Sequence, residues 1–115
     1  MRVYVSGPYS GGDVESNVAE AIEMGQLVYN NGHIPFIPHL FHFWDQHLPH
    51  RNVYEDWMRL CMSFLETCDV LLRLPGESPG ADREVERAKE LGMKVYYSVK
   101  DLLADMKELN SWGEK

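Results

Sequence analysis

Glu84 is the residue of this sequence whose placement most suggests chemistry. A short apolar run ends at Pro75-Gly76, and a helix is predicted from about Pro79 to Leu91, with Ser78 as its cap and Gly92 as its stop. At roughly 100° per residue its apolar side chains share one arc, and Glu84 falls inside that arc, close to the helix N-terminus. The apolar arc consists of Ala81, Val85, Ala88, Leu91 and Gly92.

A carboxylate that faces a core costs several kcal/mol unless it is paired. One interpretation of Glu84 is therefore structural, with a neighbouring amide or arginine satisfying it. The other is a nucleophile at the carboxyl end of a strand, where open α/β sheets bind their ligands. The helix dipole at that position favours the ionised form, which a nucleophile requires.

The rest of the chain predicts an α/β fold, because strands alternate with helices. We expect a doubly wound parallel sheet with right-handed crossovers in one domain, residues 1–115, with a polar tail from about residue 110. The predicted strands are Arg2–Ser6, Ile34–Ile37 (an edge, because of Pro35), Val70–Leu74 and Met93–Tyr97. The predicted helices run from the Asp13 cap to about Asn31, over Tyr54–Glu66, over Pro79–Leu91 and over Val99–Leu109, and Pro38–Asn52 is predicted to be a long loop.

Composition limits the class of partner. The net charge is −7 with no basic stripe, which argues against a nucleic-acid duplex or an anionic membrane. No apolar run approaches a membrane span, and Met1-Arg2 leads directly into a strand pattern, so we expect no signal peptide and a cytoplasmic protein. Cys61 and Cys68 both fit the apolar side of one helix and are predicted to be buried thiols, not a disulfide or a metal pair.

Two loops should meet at the carboxyl edge of the sheet. The first, Gly7–Gly12, is glycine-rich and could bring backbone amides against a phosphate or sugar, although a tight glycine turn explains it equally well. The second carries Ser78, Gly80 and Glu84. Predicted substrate-binding residues of the two loops are Gly7, Tyr9, Ser10, Gly11, Ser78 and Gly80.

In combination these features resemble the nucleoside 2-deoxyribosyltransferase superfamily, including its deoxynucleoside 5′-monophosphate N-hydrolase branch. The resemblance spans nearly the whole chain in the same order. The matching motifs are Val3-Tyr4-Val5-Ser6-Gly7-Pro8, Cys68-Asp69-Val70, and Ser78-x-Gly80-x-x-x-Glu84-x-x-x-Ala88.

The resemblance implies a flavodoxin-like fold of four to five strands, a homodimer or larger assembly, and cleavage of the bond between sugar and nucleobase without a cofactor or metal. In that family the glutamate matching Glu84 attacks the anomeric carbon, and the tyrosine matching Tyr4 orients it. Such a carbon needs a carboxylate on one face and assistance to the departing base on the other.

For assistance to the base, Asp56 near the start of its helix is the candidate. A plain N-terminal helix aspartate explains Asp56 about equally well. The hydrolase relatives carry their acidic residue further along this helix, about where this chain has Cys61. Asp69 is expected to be structural.

Ser78 bears on the choice of substrate. Transferases of free nucleosides place an aspartate at the matching position, whereas the hydrolase branch has serine, whose hydroxyl can donate to a phosphate. Ser10, however, replaces the arginine that the hydrolases present from their first loop. The sequence thus favours a monophosphate N-hydrolase, with a base-exchanging transferase on free nucleosides as the alternative and a non-catalytic nucleotide-binding module as the second alternative.

The segment Pro38–Asn52 contains His39, His42, His47 and His50, with Asp45 among them. Metal ligation would require a helical segment, and a base pocket or subunit contact is the preferred interpretation. Phe43 and Trp44 could stack on a base or fill the core. Leu102, Leu103, Met106 and Leu109 have no later element to cover them, which together with the shallow pocket of a short chain predicts a homodimer.

Overall fold

The computed structural model describes residues 1–105, and these form a four-stranded, fully parallel sheet with helices on both faces. The strand order is β2-β1-β3-β4. The strands are β1 (Arg2–Ser6), β2 (Ile34–Phe36), β3 (Val70–Arg73) and β4 (Lys94–Tyr96). The helices are α1 (Val14–Asn30), α2 (Phe41–His47), α3 (Tyr54–Leu65) and α4 (Pro79–Glu90), with a 3₁₀ turn over Pro38–Leu40 and a further helical stretch at residues 99–105. The predicted doubly wound α/β fold is thereby confirmed.

Two apolar layers hold the sheet, one on each face. On one face, Val3 and Val5 of β1 pack with α1 and with Leu102. On the other face, Tyr4 of β1 packs with α3 and α4. Neighbouring residues of a strand point to opposite faces, so the single strand β1 contributes to both layers.

The topology creates a switch point between β1 and β3. The chain moves outward from β1 to β2 and then returns to β3, which pairs with β1 from Val3 opposite Val70 to Ser6 opposite Arg73. The loops that leave these two strands therefore diverge at the carboxyl edge, where open α/β sheets bind ligands. Gly7 is needed at this edge because a Cβ there would lie 2.9 Å from the Cβ of Leu74.

The predicted loop over Pro38–Asn52 is wrong in part, because this segment contains the 3₁₀ turn and α2. Aromatic residues spaced three apart explain the helix. Phe41 stacks on Trp57 of α3 with ring centroids 5.7 Å apart, and Trp44 meets the edge of the same indole at 5.3 Å. The tertiary contacts thus determine a short helix that the histidine-rich sequence concealed.

Two predicted side-chain environments also require correction. Leu91 does not complete the apolar stripe of α4; it is the C-cap residue and is 41% exposed. Leu102 is fully buried in the core and is not part of an uncovered helix face. The remainder of the predicted last helix, with Met106 and Leu109, and the tail from residue 110 lie outside the described residues.

The homodimer stays a prediction. Because Leu102 is buried, the candidate contact surface is no longer the last helix but the exposed apolar side chains around α2. Within residues 1–105, large apolar side chains are exposed on and around α2 and at the start of α3, namely Leu40, Phe43, Trp44, Leu48 and Val53. Burying them against a second copy would stabilise a dimer by removing apolar area from water. Light scattering at micromolar concentration should give twice the mass of the chain, and a stable, active monomer would contradict the expectation.

Candidate active site

Glu84 is a buried carboxylate held by two hydroxyl donors of the central strand. It is 5% exposed on the inner side of α4. The Tyr4 hydroxyl donates to Oε2, and the Ser6 hydroxyl donates to Oε1 at 2.8 Å. Tyr4 and Ser6 are two residues apart in β1, so both side chains leave the same face of the sheet. The predicted contact between Tyr4 and Glu84 is present, and Ser6 is a second partner that the sequence analysis did not identify.

Electrostatics at this contact are dominated by burial. Removal from water raises the pKa of Glu84 above its ordinary value, and the two hydrogen bonds and the charge of Arg73 act in the opposite direction. Desolvation is the largest effect on the pKa of this carboxyl, and it opposes the ionised form that the helix dipole at the start of α4 favours. Burial and the neighbouring Glu84 carboxylate raise the pKa of Tyr4, which keeps its hydroxyl protonated as a donor.

Arg73 braces the loop between β3 and α4. Its guanidinium, buried at the end of a strand predicted to be almost wholly apolar, donates to the carbonyl oxygens of Leu74 and Gly76 and pairs with Asp82 at 3.3 Å. Because these partners lie before and within the first turn of α4, Arg73 fixes the loop that positions Ser78. Ser78 is the N-cap, and its hydroxyl oxygen accepts from the Ala81 amide at 3.1 Å, as predicted.

A cavity of about 570 Å³ opens over Glu84 at the switch point. All six residues predicted to bind substrate line it: Gly7, Tyr9, Ser10, Gly11, Ser78 and Gly80. The Asn17 side chain fixes the first loop by donating to the carbonyl oxygens of Tyr9 and Gly11, both at 2.8 Å. Other side chains also line the cavity: Phe41 and Asp45, from the segment interpreted as a base pocket or subunit contact, and Tyr54, Trp57, Met58 and Glu77, which the sequence did not indicate.

The charges of the lining are all of one sign. Asp45, Glu77 and Glu84 line the cavity, and among the described residues that form its wall there is no lysine or arginine. The nearby Arg83 is occupied elsewhere, in an ion pair with Glu55 at 2.8 Å. The cavity wall therefore presents little positive charge to a phosphate.

Asp56 does not join the cavity. It is exposed in the first turn of α3, where its carboxylate accepts from the Val53 amide at 2.8 Å. That contact fits the plain helix-terminus interpretation. Cys61, one and a half turns further on, is buried, does line the cavity, and has its thiol pKa raised by burial to about 11. Cys68 is only half-buried, and Asp69 accepts from the Arg2 amide at 2.7 Å, a structural contact between strand ends.

The histidine-rich segment contributes to the cavity selectively. His39 and His42 line it, whereas Phe43 and Trp44, for which the sequence left stacking on a base or filling the core as alternatives, are exposed and lie outside it. Phe41 and Trp57 occupy the aromatic positions in their place. Within residues 1–105 no group of three histidine, cysteine or acidic side chains has the geometry to hold a metal ion. No helix in this range is long and apolar enough to cross a membrane.

Replacing Asp56 by alanine should affect stability more than chemistry. The variant loses an acceptor for a helix-terminal amide, so the free energy of unfolding should fall by about 1 kcal/mol. Denaturant unfolding measures this loss, and base release from a nucleoside measures activity. A hundredfold loss of turnover in a folded Asp56→Ala protein would instead support Asp56 as the acid.

The comparisons with known proteins agree with the geometry at the level of the fold. A solved 2-deoxyribosyltransferase from the bacterium Bacillus psychrosaccharolyticus matches with a TM-score of 0.62 and 16% identity, over 83% of this chain and 69% of that one. The 2-deoxyribosyltransferase from Leishmania mexicana matches with a TM-score of 0.58 and 16% identity, over 83% of this chain and 61% of that one.

The comparison with curated proteins found no match. Residues 1–97 match the model of a domain of unknown function, DUF4406. This match covers most of the chain, including both loops of the cavity and Glu84. The chain belongs to the DUF4406 family, and its fold is that of the 2-deoxyribosyltransferases.

Proposed function

We propose that this protein cleaves the N-glycosidic bond of a nucleoside or nucleotide, with Glu84 as the nucleophile. The observation that carries the proposal is a buried carboxylate at the wall of a cavity, held on each oxygen by a hydroxyl of β1. A purely structural carboxylate has no need of a cavity beside it. The likeness in fold to two 2-deoxyribosyltransferases supports the same reaction class.

The two hydroxyls would fix the direction of attack. Each carboxylate oxygen receives one donor, which fixes the orientation of a side chain that lines the cavity. Attack on the anomeric carbon through an oxocarbenium-like transition state requires such an oriented carboxylate. The raised pKa of Glu84 also matters, because a less stabilised carboxylate is a stronger nucleophile once it is ionised.

The cavity fits a nucleoside in size and character. Its volume of about 570 Å³ is in the range of small-molecule sites. Phe41, Tyr54 and Trp57 supply aromatic surface for a base, and the loop from Gly7 to Gly11 supplies backbone groups for a sugar.

The proposal has two versions, which differ in whether the substrate carries a phosphate or a free hydroxyl at its 5′ position. Ser78 and the amides at the N-terminus of α4 could hold a phosphate, which supports the monophosphate N-hydrolase preferred from the sequence. The acidic lining, with Glu77 next to Ser78, favours an uncharged 5′-hydroxyl and thus the transferase on free nucleosides. On charge we rank the free nucleoside first. The acceptor of the sugar, water or a second base, decides between hydrolysis and transfer.

Replacement of Glu84 tests the nucleophile. Glu84→Gln keeps the shape of the side chain but cannot form the glycosyl ester, so base release should fall about a thousandfold or more. Chromatography of released bases from a panel of nucleosides and monophosphates measures it. Activity within a few-fold of wild type would exclude the mechanism, and a wild-type protein that binds nucleotides without releasing base would favour the non-catalytic module.

The same variant should be at least as stable as wild type at neutral pH. The folded-state pKa of Glu84 is raised, so its contribution to stability falls as pH rises from the ordinary value through the folded value. Glutamine removes that penalty, and the gain should disappear in acid, where the wild-type side chain is protonated. Unfolding curves at neutral and acidic pH measure the difference.

The pH dependence should report the Tyr4 hydrogen bond. Because Glu84 must be ionised, kcat/KM should fall as pH drops through its raised pKa. Tyr4→Phe removes a contact that lowers this pKa, so the acid limb should move to higher pH. Tyr96→Phe is the matched control, since Tyr96 donates to Asp105 at 2.8 Å away from the cavity. An unmoved limb in Tyr4→Phe would mean that Tyr4 does not tune the nucleophile.

Substitution at Ser78 separates the two substrates. Aspartate also caps helices, so Ser78→Asp should fold, and its charge should weaken turnover of a monophosphate about tenfold to a hundredfold while free nucleosides are unaffected or improved. Ser98→Asp is the control, because Ser98 caps residues 99–105 in the same way, outside the cavity. An unchanged ratio of the two catalytic efficiencies would show that Ser78 is only a cap.

A further inference from the structure

One side of the cavity carries an arrangement that the proposed nucleophile does not use. Helix α2 places His42 and Asp45, three residues apart, on the cavity wall. Both are half-buried, whereas Phe43 and Trp44 between them are exposed. The Tyr9 hydroxyl, from the loop after β1, lies 2.7 Å from Nδ1 of His42. Two polar groups that face a cavity from a short helix, one of them tied to a second loop, indicate a site for a ligand.

The contact with Tyr9 determines where His42 carries its proton. In neutral His42 the Tyr9 hydroxyl donates to Nδ1, which leaves the ring proton on Nε2. In the imidazolium both nitrogens carry protons, and Nδ1 donates to the Tyr9 oxygen. Before any proton is transferred, Nε2 therefore carries a proton in both states, and no described residue accepts from it. Burial and the charge of Asp45 raise the pKa of Tyr9, so the phenol stays protonated.

Other groups at the cavity are less suited to donate a proton. Asp56 lies outside the cavity, and the Cys61 thiol is a weak acid at its raised pKa of about 11. Nε2 of His39 donates a hydrogen bond to the Pro8 carbonyl oxygen at 2.9 Å. Burial lowers the pKa of His39, so its ring stays neutral. Imidazole changes its charge near neutral pH, which suits a group that gives and regains a proton.

We propose that His42 is the catalytic residue that protonates the departing nucleobase, with Tyr9 as its positioning residue. This inference rests on the proposed function. Asp45 lies one turn along α2 on the same cavity wall, and its charge acts on the Tyr9 phenol.

The step balances without a further reactant. A Glu84 oxygen supplies an electron pair to the anomeric carbon, and the bond from that carbon to the base breaks with its pair moving to the base. The His42 imidazolium gives its Nε2 proton to a nitrogen or oxygen of the base, which leaves neutral, and His42 becomes a neutral imidazole whose Nδ1 proton is donated to the Tyr9 oxygen. In hydrolysis, water then attacks the anomeric carbon, the pair of the ester bond returns to Glu84, and the water proton passes to His42.

A pair of substrates that differ in their need for a proton tests the inference. A purine nucleoside needs protonation of its base on departure, whereas its N7-methylated derivative already carries the positive charge. His42→Ala should lower turnover of the ordinary nucleoside about a hundredfold to ten-thousandfold and leave the methylated one within a few-fold, after uncatalysed release is subtracted. His42→Gln keeps a polar side chain of similar size and serves as a second variant in case alanine disturbs α2. It should show the same selective loss on the ordinary nucleoside. His47→Ala, on the same helix but exposed and away from the cavity, is the control.

The outcomes separate this inference from the proposed function. Glu84→Gln should lose turnover of both the ordinary and the methylated nucleoside. A wild-type protein that releases the base from neither nucleoside overturns the proposed function and this inference with it. Equal losses on both substrates in the His42 variants, with wild-type activity present, overturn the role of His42 alone. A loss selective for the ordinary nucleoside in Asp45→Asn but absent in His42→Ala assigns the proton to Asp45 and likewise overturns it.

Discussion

The contact of Glu84 with Tyr4 and Ser6 is the constraint on which the rest of the site depends. It joins the first strand to the fourth helix, 80 residues apart in sequence, and it places a largely buried carboxylate between sheet and helix. A buried carboxylate is tolerated only when its oxygens are satisfied. The two hydroxyls satisfy them, and therefore β1 and α4 must keep their relative positions for the chain to fold stably.

This requirement explains several neighbouring features. Arg73 braces the loop from β3 to α4 through Gly76 and Asp82. Its positive charge also lowers the pKa of the Glu84 carboxyl, so one side chain both positions the start of α4 and acts on the carboxylate. Gly80 lets α4 approach α3 closely, since a Cβ at that position would lie 3.3 Å from the Tyr54 hydroxyl. The cavity thus opens beside a carboxylate that the fold already holds in place, and under the proposed function substrate binding need not assemble the nucleophile.

The sequence predicted the parts of this structure that follow local rules. Strand β1, the Asp13 and Ser78 caps and the edge position of β2 follow from periodicity, capping residues and Pro35. The six loop residues reach the cavity because parallel strands present their carboxyl ends at one edge. Glu84 was recognisable because a single charge in an apolar stripe violates the helical pattern.

What the sequence did not reveal depends on tertiary contacts. Helix α2 is stabilised by contacts of Phe41 and Trp44 with Trp57 of α3. The histidines between these aromatic residues obscured the helical spacing of the apolar positions. Ser6 was detectable in principle, because it shares a strand face with Tyr4. The role of Arg73 was not detectable, because the neighbouring sequence does not indicate that an arginine at the end of a strand will donate to carbonyl oxygens of the following loop. The raised pKa of Glu84 likewise could not be predicted from the sequence, because it depends on how deeply the side chain is buried.

The two walls of the cavity differ in how firmly they are built. Glu84 is fixed by the sheet and by a core of buried side chains. His42 and Asp45 lie on a two-turn helix with no fully buried residue, tied to the sheet chiefly through aromatic contacts of Phe41 and the Tyr9 hydroxyl. A wall with few buried contacts is easier to displace than the core. In the proposed mechanism the position of the nucleophile is therefore the same for every substrate, and α2 is the wall that can adjust to the shape and the proton requirement of the base.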